Sequence, residues 1–282
     1  LPSTDPSGRP PARDGIPARK VVLSGVVPEG EYWAARAGDS PFPAGTQLAA
    51  GTRLARAVPA WTYPELLDEP PIPFDYEVVY ADAGIMIVDK PPFLPTTSNG
   101  RIQRETLQTR LRRDHGDEVI CCHRLDRLTA GLVLCSRNPE TRGAYQQLFA
   151  RREVRKTYRA LLSAPVSFPE WERVELTMNK PAGARRVEVS HTGTPTLTYV
   201  RGVGRLVEMR PVTGHTHQLR VVAQHLGAPI VGDDLYPEDL GRGLWDFSTR
   251  LHLLAERISF IDPLSFRPRA FRSPRPLLDI ID

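Results

Sequence analysis

The sequence predicts an α+β protein, an antiparallel-rich mixed sheet with flanking helices. Short apolar runs with strand character outnumber helical ones and alternate with them irregularly, unlike βαβ repeats. No internal repeat occurs, and neither G-x-G-x-x-G nor G-x-x-x-x-G-K-S/T is present, so a nucleotide cofactor has no obvious seat. A length of 282 residues allows one large domain plus an accessory segment.

In chain order, residues 1–75 hold 13 of the 28 prolines and only short apolar runs. The first 20 or so are expected to lack stable structure. Short strands are expected to follow, with Pro43–Leu48 and Gly51–Val58 as candidates. The linker Glu69-Pro70-Pro71-Ile72-Pro73 cannot continue a sheet or helix, so the chain divides into an appendage (1–75) and a main domain (76–282). Val78–Asp82 and Ile85–Val88 read as a strand pair, and Leu132–Leu134 as a buried strand. Leu107 and Leu111 share one face of a helix from about Glu105 to Asp114. Asn138 followed by Pro139 caps a helix through Arg151, with Tyr145, Leu148 and Phe149 inward. Arg159–Leu162, Val174–Met178, Arg186–Val189, Leu197–Val203 and Arg205–Arg210 read as strands. A last helix is expected from Thr216 to Leu226, where Leu219, Val222, Ala223 and Leu226 recur at helical spacing and Gly227 supplies a left-handed stop.

The formal net charge is only +4, yet arginine supplies 33 of the 37 basic residues. Arginine pairs bidentately with phosphate and stacks on bases. GC-rich coding would also raise its content, but position favours RNA contact: Arg110, Arg112 and Arg113 crowd one helix end, and Arg151, Arg152, Arg155, Lys156 and Arg159 run from a helix into a strand. No run of about 18 apolar residues exists, and residues 1–20 do not read as a secretory signal, so no membrane partner and a cytoplasmic location are expected. The odd count of cysteines, Cys121, Cys122 and Cys135, fits reduced thiols and lacks C-x-x-C zinc spacing.

The most informative segment is Cys122-His123-Arg124-Leu125-Asp126-Arg127-Leu128-Thr129-Ala130-Gly131, which sets one acid between two arginines in a turn entering an apolar strand. A carboxylate beside cations stays ionised and can serve as nucleophile or base. The bland alternative is a structural ion pair with Arg124 or Arg127. The run His123-Arg124-Leu125-Asp126, then Thr129 and Gly131, resembles the hallmark of the RluA-type RNA pseudouridine synthases. Three further segments resemble that family in the expected order: Val78–Asp82 with Ile85–Pro91, Lys156–Leu162, and Thr213–Arg220 leading through His225-Leu226-Gly227 to Pro229–Tyr236. The chain departs from the family pattern at Asp89, where asparagine is usual, at Phe93, where glycine is usual, and at His215, where arginine is usual.

The resemblance implies a pseudouridine synthase fold with an active-site cleft and the isomerisation of uridine to pseudouridine in ribosomal RNA or tRNA. That reaction breaks the base-to-sugar bond, turns the base and rejoins it through carbon, with no cofactor or metal. It further implies Asp126 as the catalytic carboxylate, acting on the sugar either as nucleophile or by proton abstraction, Arg220 as its cationic partner, and Tyr158 stacked on the target base. Arg124 would fill the gap left by a flipped uridine. Lys90, His123, Thr129, Thr216 and Gln218 are expected to bind substrate, Lys90 by holding a strand end or a phosphate. The segment Phe93–Ser98 is similar to the branch acting on large-subunit ribosomal RNA or the tRNA anticodon arm, and residues 1–75 could be a degenerate S4-like module. Two rivals stay open: an RNA-binding or ribosome-assembly factor without activity, and a metal-dependent hydrolase built on His215 and His217 with His225 or Asp233.

Overall fold

A computed structural model describes residues 6–66, 68–98 and 100–277. These group into two compact units, Leu1–Glu69 with Ser98–Val119, and Pro70–Thr97 with Ile120–Asp282. The first break falls inside the proline linker. The segment 98–119 joins the first unit, which a single linear cut at 75/76 does not anticipate.

In the first unit, β1 (Arg19–Val26), β2 (Tyr32–Ala34), β3 (Gln47–Leu48) and β4 (Arg53–Thr62) form a sheet of order β1-β4-β2-β3. Its small core includes Leu23, Val27, Leu48 and Val58. The expectation that the first 20 residues lack structure does not hold for those described. Ser7 O accepts from Arg36 N (2.9 Å) and Trp61 Nε1 (3.2 Å), and Arg13 and Ile16 exchange backbone bonds. Arg13 stacks on Tyr63 at 4.1 Å and pairs with Glu31. Buried backbone polar groups require partners, and tertiary contacts supply them here despite the proline content. Helix α1 (Leu107–His115) is capped by Thr106, whose side chain accepts from Thr109 N. The Glu69 carboxylate accepts from the backbone N–H of Gln103, Arg104 and Glu105 just before it. Arg110, expected in a surface cluster, is buried and paired with Glu105.

The second unit holds, among the described residues, a nine-stranded sheet. Its strands are β5 (Glu77–Ala81), β6 (Ile85–Lys90), β7 (Ile120–Cys121), β8 (Ala130–Ser136), β9 (Arg155–Asn179), β10 (Glu188–Val189), β11 (Thr194–Pro211), β12 (Leu253–Ile261) and β13 (Pro268–Arg272). The central path runs β10-β9-β12-β8-β6-β5, with β11 on β9, β13 on β12 and β7 on β8. All named pairings are antiparallel except β8 with β12. This is the α+β, antiparallel-rich mixed sheet the sequence predicts. β6 and β8 are buried at every residue, as expected for continuous apolar runs. Helix α2 (Pro139–Ala150) begins at Asn138, which accepts from Glu140 N, and packs Tyr145 and Leu148 on Ile85, Ile87, Leu134 and Phe260.

Two strand pairs of the sequence reading merge. Arg159–Leu162 and Val174–Met178 are parts of the single strand β9, and Leu197–Val203 with Arg205–Arg210 form β11. The two make one long hairpin in register from Thr194↔Met178 to Met209↔Tyr158, bulged at Val200/Gly202 and Gly204/Leu206. The middle of β9 is largely solvent-facing and contains Pro165 and Pro169, so apolar alternation does not mark it. Helix α3 (Gln218–His225) starts two residues later than expected, because His217 is left-handed at φ 57°. Gly227 is left-handed at φ 74°, the stop its position predicts.

Candidate active site

The turn before β8 is fixed from both sides. Leu125 N donates to Thr96 Oγ1 (3.0 Å), which donates back to Leu125 O (2.9 Å). On the other flank the Lys90 ammonium donates to Arg127 O (3.3 Å), Leu94 O (2.8 Å) and Pro91 O (2.9 Å). Leu125 and Leu128 are buried, and Thr129 N closes the turn on Asp126 O (3.1 Å). Asp126 is thereby presented from a clamped backbone to a cavity of about 590 Å³. Gly131, at φ 113°, follows where β8 meets β12; a Cβ there would lie 2.4 Å from Ala255 O.

Eight of the nine residues expected at the site line this cavity: Asp126, Tyr158, Arg220, Arg124, His123, Thr129, Thr216 and Gln218. Their roles separate on inspection. Tyr158 is buried on β9, and burial, then the charge of Asp126, raises its hydroxyl pKa, so it stays protonated and able to donate. Arg124 and Thr216 are exposed at the cavity. His123 is mainly a structural group: Nε2 accepts from Leu134 N (3.0 Å) and the ring stacks on Phe149 at 4.4 Å. Burial, then Lys156, lowers its pKa to about 3, so the ring is neutral near pH 7.

Gln218 is also engaged internally. Its Oε1 accepts from Thr213 Oγ1 (2.9 Å) and His215 N (3.0 Å), and its Nε2 donates to Leu197 O (3.1 Å) and Thr198 Oγ1 (2.9 Å). It shapes the 213–217 turn and has little capacity left for substrate. Lys90 is the ninth residue and does not line the cavity. It is fully buried, and burial lowers its pKa to about 7, with Asp126 opposing that shift. Of the two roles expected for Lys90, these bonds fit the holding of a strand end, and they brace the Asp126 turn from beneath.

Arg220, expected as the cationic partner of Asp126, makes its hydrogen bonds to other carboxylates. Arg220 Nε and Nη2 bond Asp233 at 2.8 and 2.5 Å, and Nη2 bonds Asp234 at 2.6 Å. Burial opposes its charge, but Asp233, then Asp234 and Asp126, hold its pKa above the usual value. Arg220 thus meets Asp126 by charge across the cavity, and its hydrogen bonds go to the acidic pair. Asp233 additionally accepts from Leu235 N and Tyr236 N. The segment carrying Asp233 and Asp234 bends outside the strands. His217 Nδ1 lies 3.2 Å from Tyr236 Oη, which donates to Val187 O and accepts from Val187 N. With that hydroxyl proton engaged, Nδ1 must donate, leaving Nε2 an acceptor. Burial lowers the His217 pKa to about 4, against the pull of Asp126. Among the described residues no three His, Cys, Asp or Glu side chains form a group able to hold a metal ion.

Thr96 and Asp234 are supports that the sequence left unassigned, and Asp233, weighed there only as a metal ligand, is a third. Thr96 carries no local signal, since its partner lies 29 residues away.

One ionisable carboxylate faces a protonated tyrosine and a buried cation in an open cavity, a set suited to attack on, or proton removal from, a sugar. The family model described as RNA pseudouridylate synthase matches residues 84–225, half of the chain. The chain belongs to that family. It is similar to the dual-specificity RNA pseudouridine synthase RluA of Vibrio cholerae, 32% identical over 198 residues that cover 67% of this chain and 78% of that one, which supports an RluA-type member. It is also 32% identical over 194 residues to the mitochondrial tRNA pseudouridine(32) synthase of Saccharomyces cerevisiae, covering 62% of this chain but only 41% of that protein. The chain thus spans less than half the length of that yeast relative. Among solved structures it resembles human RNA pseudouridylate synthase domain containing 1, with a TM-score of 0.61, 25% identity, and coverage of 76% of this chain and 89% of that one.

The departures from the RluA-type pattern have visible compensations. Phe93 adopts φ 69°, a conformation that favours glycine, and is held by stacking on Phe74 (5.4 Å) and an edge contact with Phe247 (5.4 Å). Asp89 is fully buried, yet it accepts from Ser273 Oγ and pairs with Arg275 at 2.9 Å. His215 stands at the cavity, its Nδ1 3.1 Å from Thr216 O.

Proposed function

We propose that this chain is an RNA pseudouridine synthase that isomerises uridine in a tRNA or ribosomal RNA stem-loop, with Asp126 as the catalytic carboxylate. The observation that carries the reading is the clamped turn, which aims one carboxylate into a cavity shared with Tyr158, Arg124 and Arg220. Uridine N1–C1′ cleavage, rotation of the base and C5–C1′ bond formation need a carboxylate that stays in place through all three stages. Thr96 and Lys90 supply that fixity. Tyr158 offers a protonated hydroxyl beside the base, and Arg220 supplies positive charge opposite Asp126 while Asp233 and Asp234 hold its guanidinium. The uridine must leave its stack to enter, and the exposure of Arg124 at the cavity supports its occupying the gap.

Asp126→Asn keeps the shape of the side chain but cannot act as nucleophile or base. Pseudouridine formed in a single turnover on an RNA stem-loop should fall by about 10² to 10⁴ or more, with RNA affinity within threefold of the parent. Retained activity within tenfold would overturn the assignment of Asp126.

A further inference from the structure

On β9, Tyr158 faces the catalytic cavity, and alternation along a strand sends its neighbours Thr157 and Arg159 to the other face of the sheet. There the register aligns Thr157 with Arg257, and Arg257 with Arg272, while Arg210 Nε reaches Thr157 Oγ1 at 3.3 Å. Arginines from β9, β11, β12 and β13 therefore share one face. Four of them, Arg159, Arg201, Arg257 and Arg272, line a second cavity of about 320 Å³ with Glu208 and Glu256.

The two carboxylates do not balance this charge. Glu208 pairs with Arg201 at 2.5 Å. Glu256, 3% exposed, is shared by Arg272 at 3.0 Å, Arg257 at 3.3 Å and Arg159 at 3.6 Å. Arg257 and Arg272 keep 48% and 62% of their side chains exposed. Trp171 adds a flat surface, with Arg210 at 3.9 Å and Arg201 at 4.6 Å from its ring. Burial pulls the Arg210 pKa down, Glu208 opposes this, and Arg155, Arg201 and Arg257 add to it, so cationic charge is in excess on this face.

We infer that this arginine-lined cavity is a second RNA contact, binding phosphodiester groups of the substrate on the sheet face opposite Asp126. Guanidiniums grouped around an aromatic plane match a nucleic-acid strand, whose phosphates pair with arginine while its bases stack. The Trp171 ring among these arginines favours a base-carrying strand over an acidic protein segment. The inference rests on the proposed RNA substrate, and it adds a contact the catalytic cavity does not contain.

Phenylglyoxal modification of the wild-type chain, mapped by peptide mass spectrometry, reads the site without any substitution. Intact tRNA should shield Arg257 and Arg272, whereas a short stem-loop that fills only the catalytic cavity should shield Arg124 and leave those two reactive. No shielding by tRNA overturns the site, and equal shielding by inorganic phosphate at the same phosphate concentration overturns RNA as its ligand. The double variant Arg257→Gln/Arg272→Gln should raise KM for tRNA severalfold and leave the single-turnover rate at saturating RNA within twofold. It should also flatten the dependence of log K on log salt by about 1.4 to 1.8, as expected for two phosphate contacts. An unchanged salt slope overturns the contact. A wild-type chain that shields these arginines yet forms no pseudouridine would refute the activity and leave the site standing.

Discussion

At the scale of single residues, the site depends on buried groups that never meet substrate. Lys90 is the clearest: three backbone carbonyls accept from its ammonium, and one of them, Arg127 O, lies next to Asp126. Lys90→Met keeps the hydrocarbon volume but strands those carbonyls, each unsatisfied group costing about 1–3 kcal/mol. Pseudouridine formation should fall at least tenfold with RNA affinity retained. Its pH signature is specific. In the unfolded chain Lys90 holds its proton up to its ordinary value of 10.5, but in the fold only below about 7. Between those values the unfolded chain binds the extra proton, so this residue makes stability rise with pH from 7 to 10.5. The urea midpoint of the methionine variant, relative to the parent, should decline between pH 7 and pH 9.5. An offset that does not change with pH would show that Lys90 keeps its ordinary pKa in the fold and would refute the lowered value. Arg220 gives a different outcome. Arg220→Met leaves Asp233 and Asp234 buried without their cation, and breaking such a pair costs about 3–5 kcal/mol. Thermal melting should therefore show a large loss of stability alongside the loss of activity, and Arg220→Lys should recover little, since an ammonium cannot reproduce the bidentate fork. A methionine variant that melts like the parent would show that the acidic pair does not need this arginine.

Elements were legible where their ends carry chemistry. Asn138-Pro139 before α2 and Gly227 after α3 each mark a terminus through a side chain or backbone preference, and each is found at or beside that terminus. Strands were legible where both faces are buried, as in β6 and β8. The β9/β11 hairpin was not, because its outer half is solvated on both sides and its bulges interrupt the alternation. The joint between β8 and β12 has a sharp dependence on one position. Gly131 pairs with Ala255, and a methyl group there would lie 2.4 Å from Ala255 O and 2.7 Å from Ala255 N at a φ of 113°. Gly131→Ala should destabilise the protein by at least about 2 kcal/mol, since the conformation is strained and backbone blocks the added atom. Differential scanning calorimetry checks this; a melting temperature within one degree of the parent would mean that β8 and β12 can separate at no cost.

For the molecule as a whole, the reactive segment was readable because Arg124, Asp126 and Thr129 are contiguous, while the structure that makes them a site is not. Thr96 and Lys90 reach the turn from 29 and 37 residues away, and the sequence marked Gln218 and His123 without showing that their polar atoms are engaged by backbone. Arg124 differs from these: it is exposed and lines the cavity with Asp126. If its guanidinium fills the space of the extruded uridine, Arg124→Ala no longer offsets an unstacking cost of a few kcal/mol. Single-turnover pseudouridine formation by this variant should then be at least tenfold slower than the parent on a paired stem-loop. On an RNA whose target uridine is already unpaired and splayed, most of that deficit should vanish, because the cost no longer arises. Asp126→Asn should show no such rescue, since its defect follows entry of the base. Both RNAs must be compared at one salt concentration, as phosphate contacts make binding salt-dependent. An equal deficit on the two RNAs would assign Arg124 to electrostatic support of Asp126 and remove it from base extrusion.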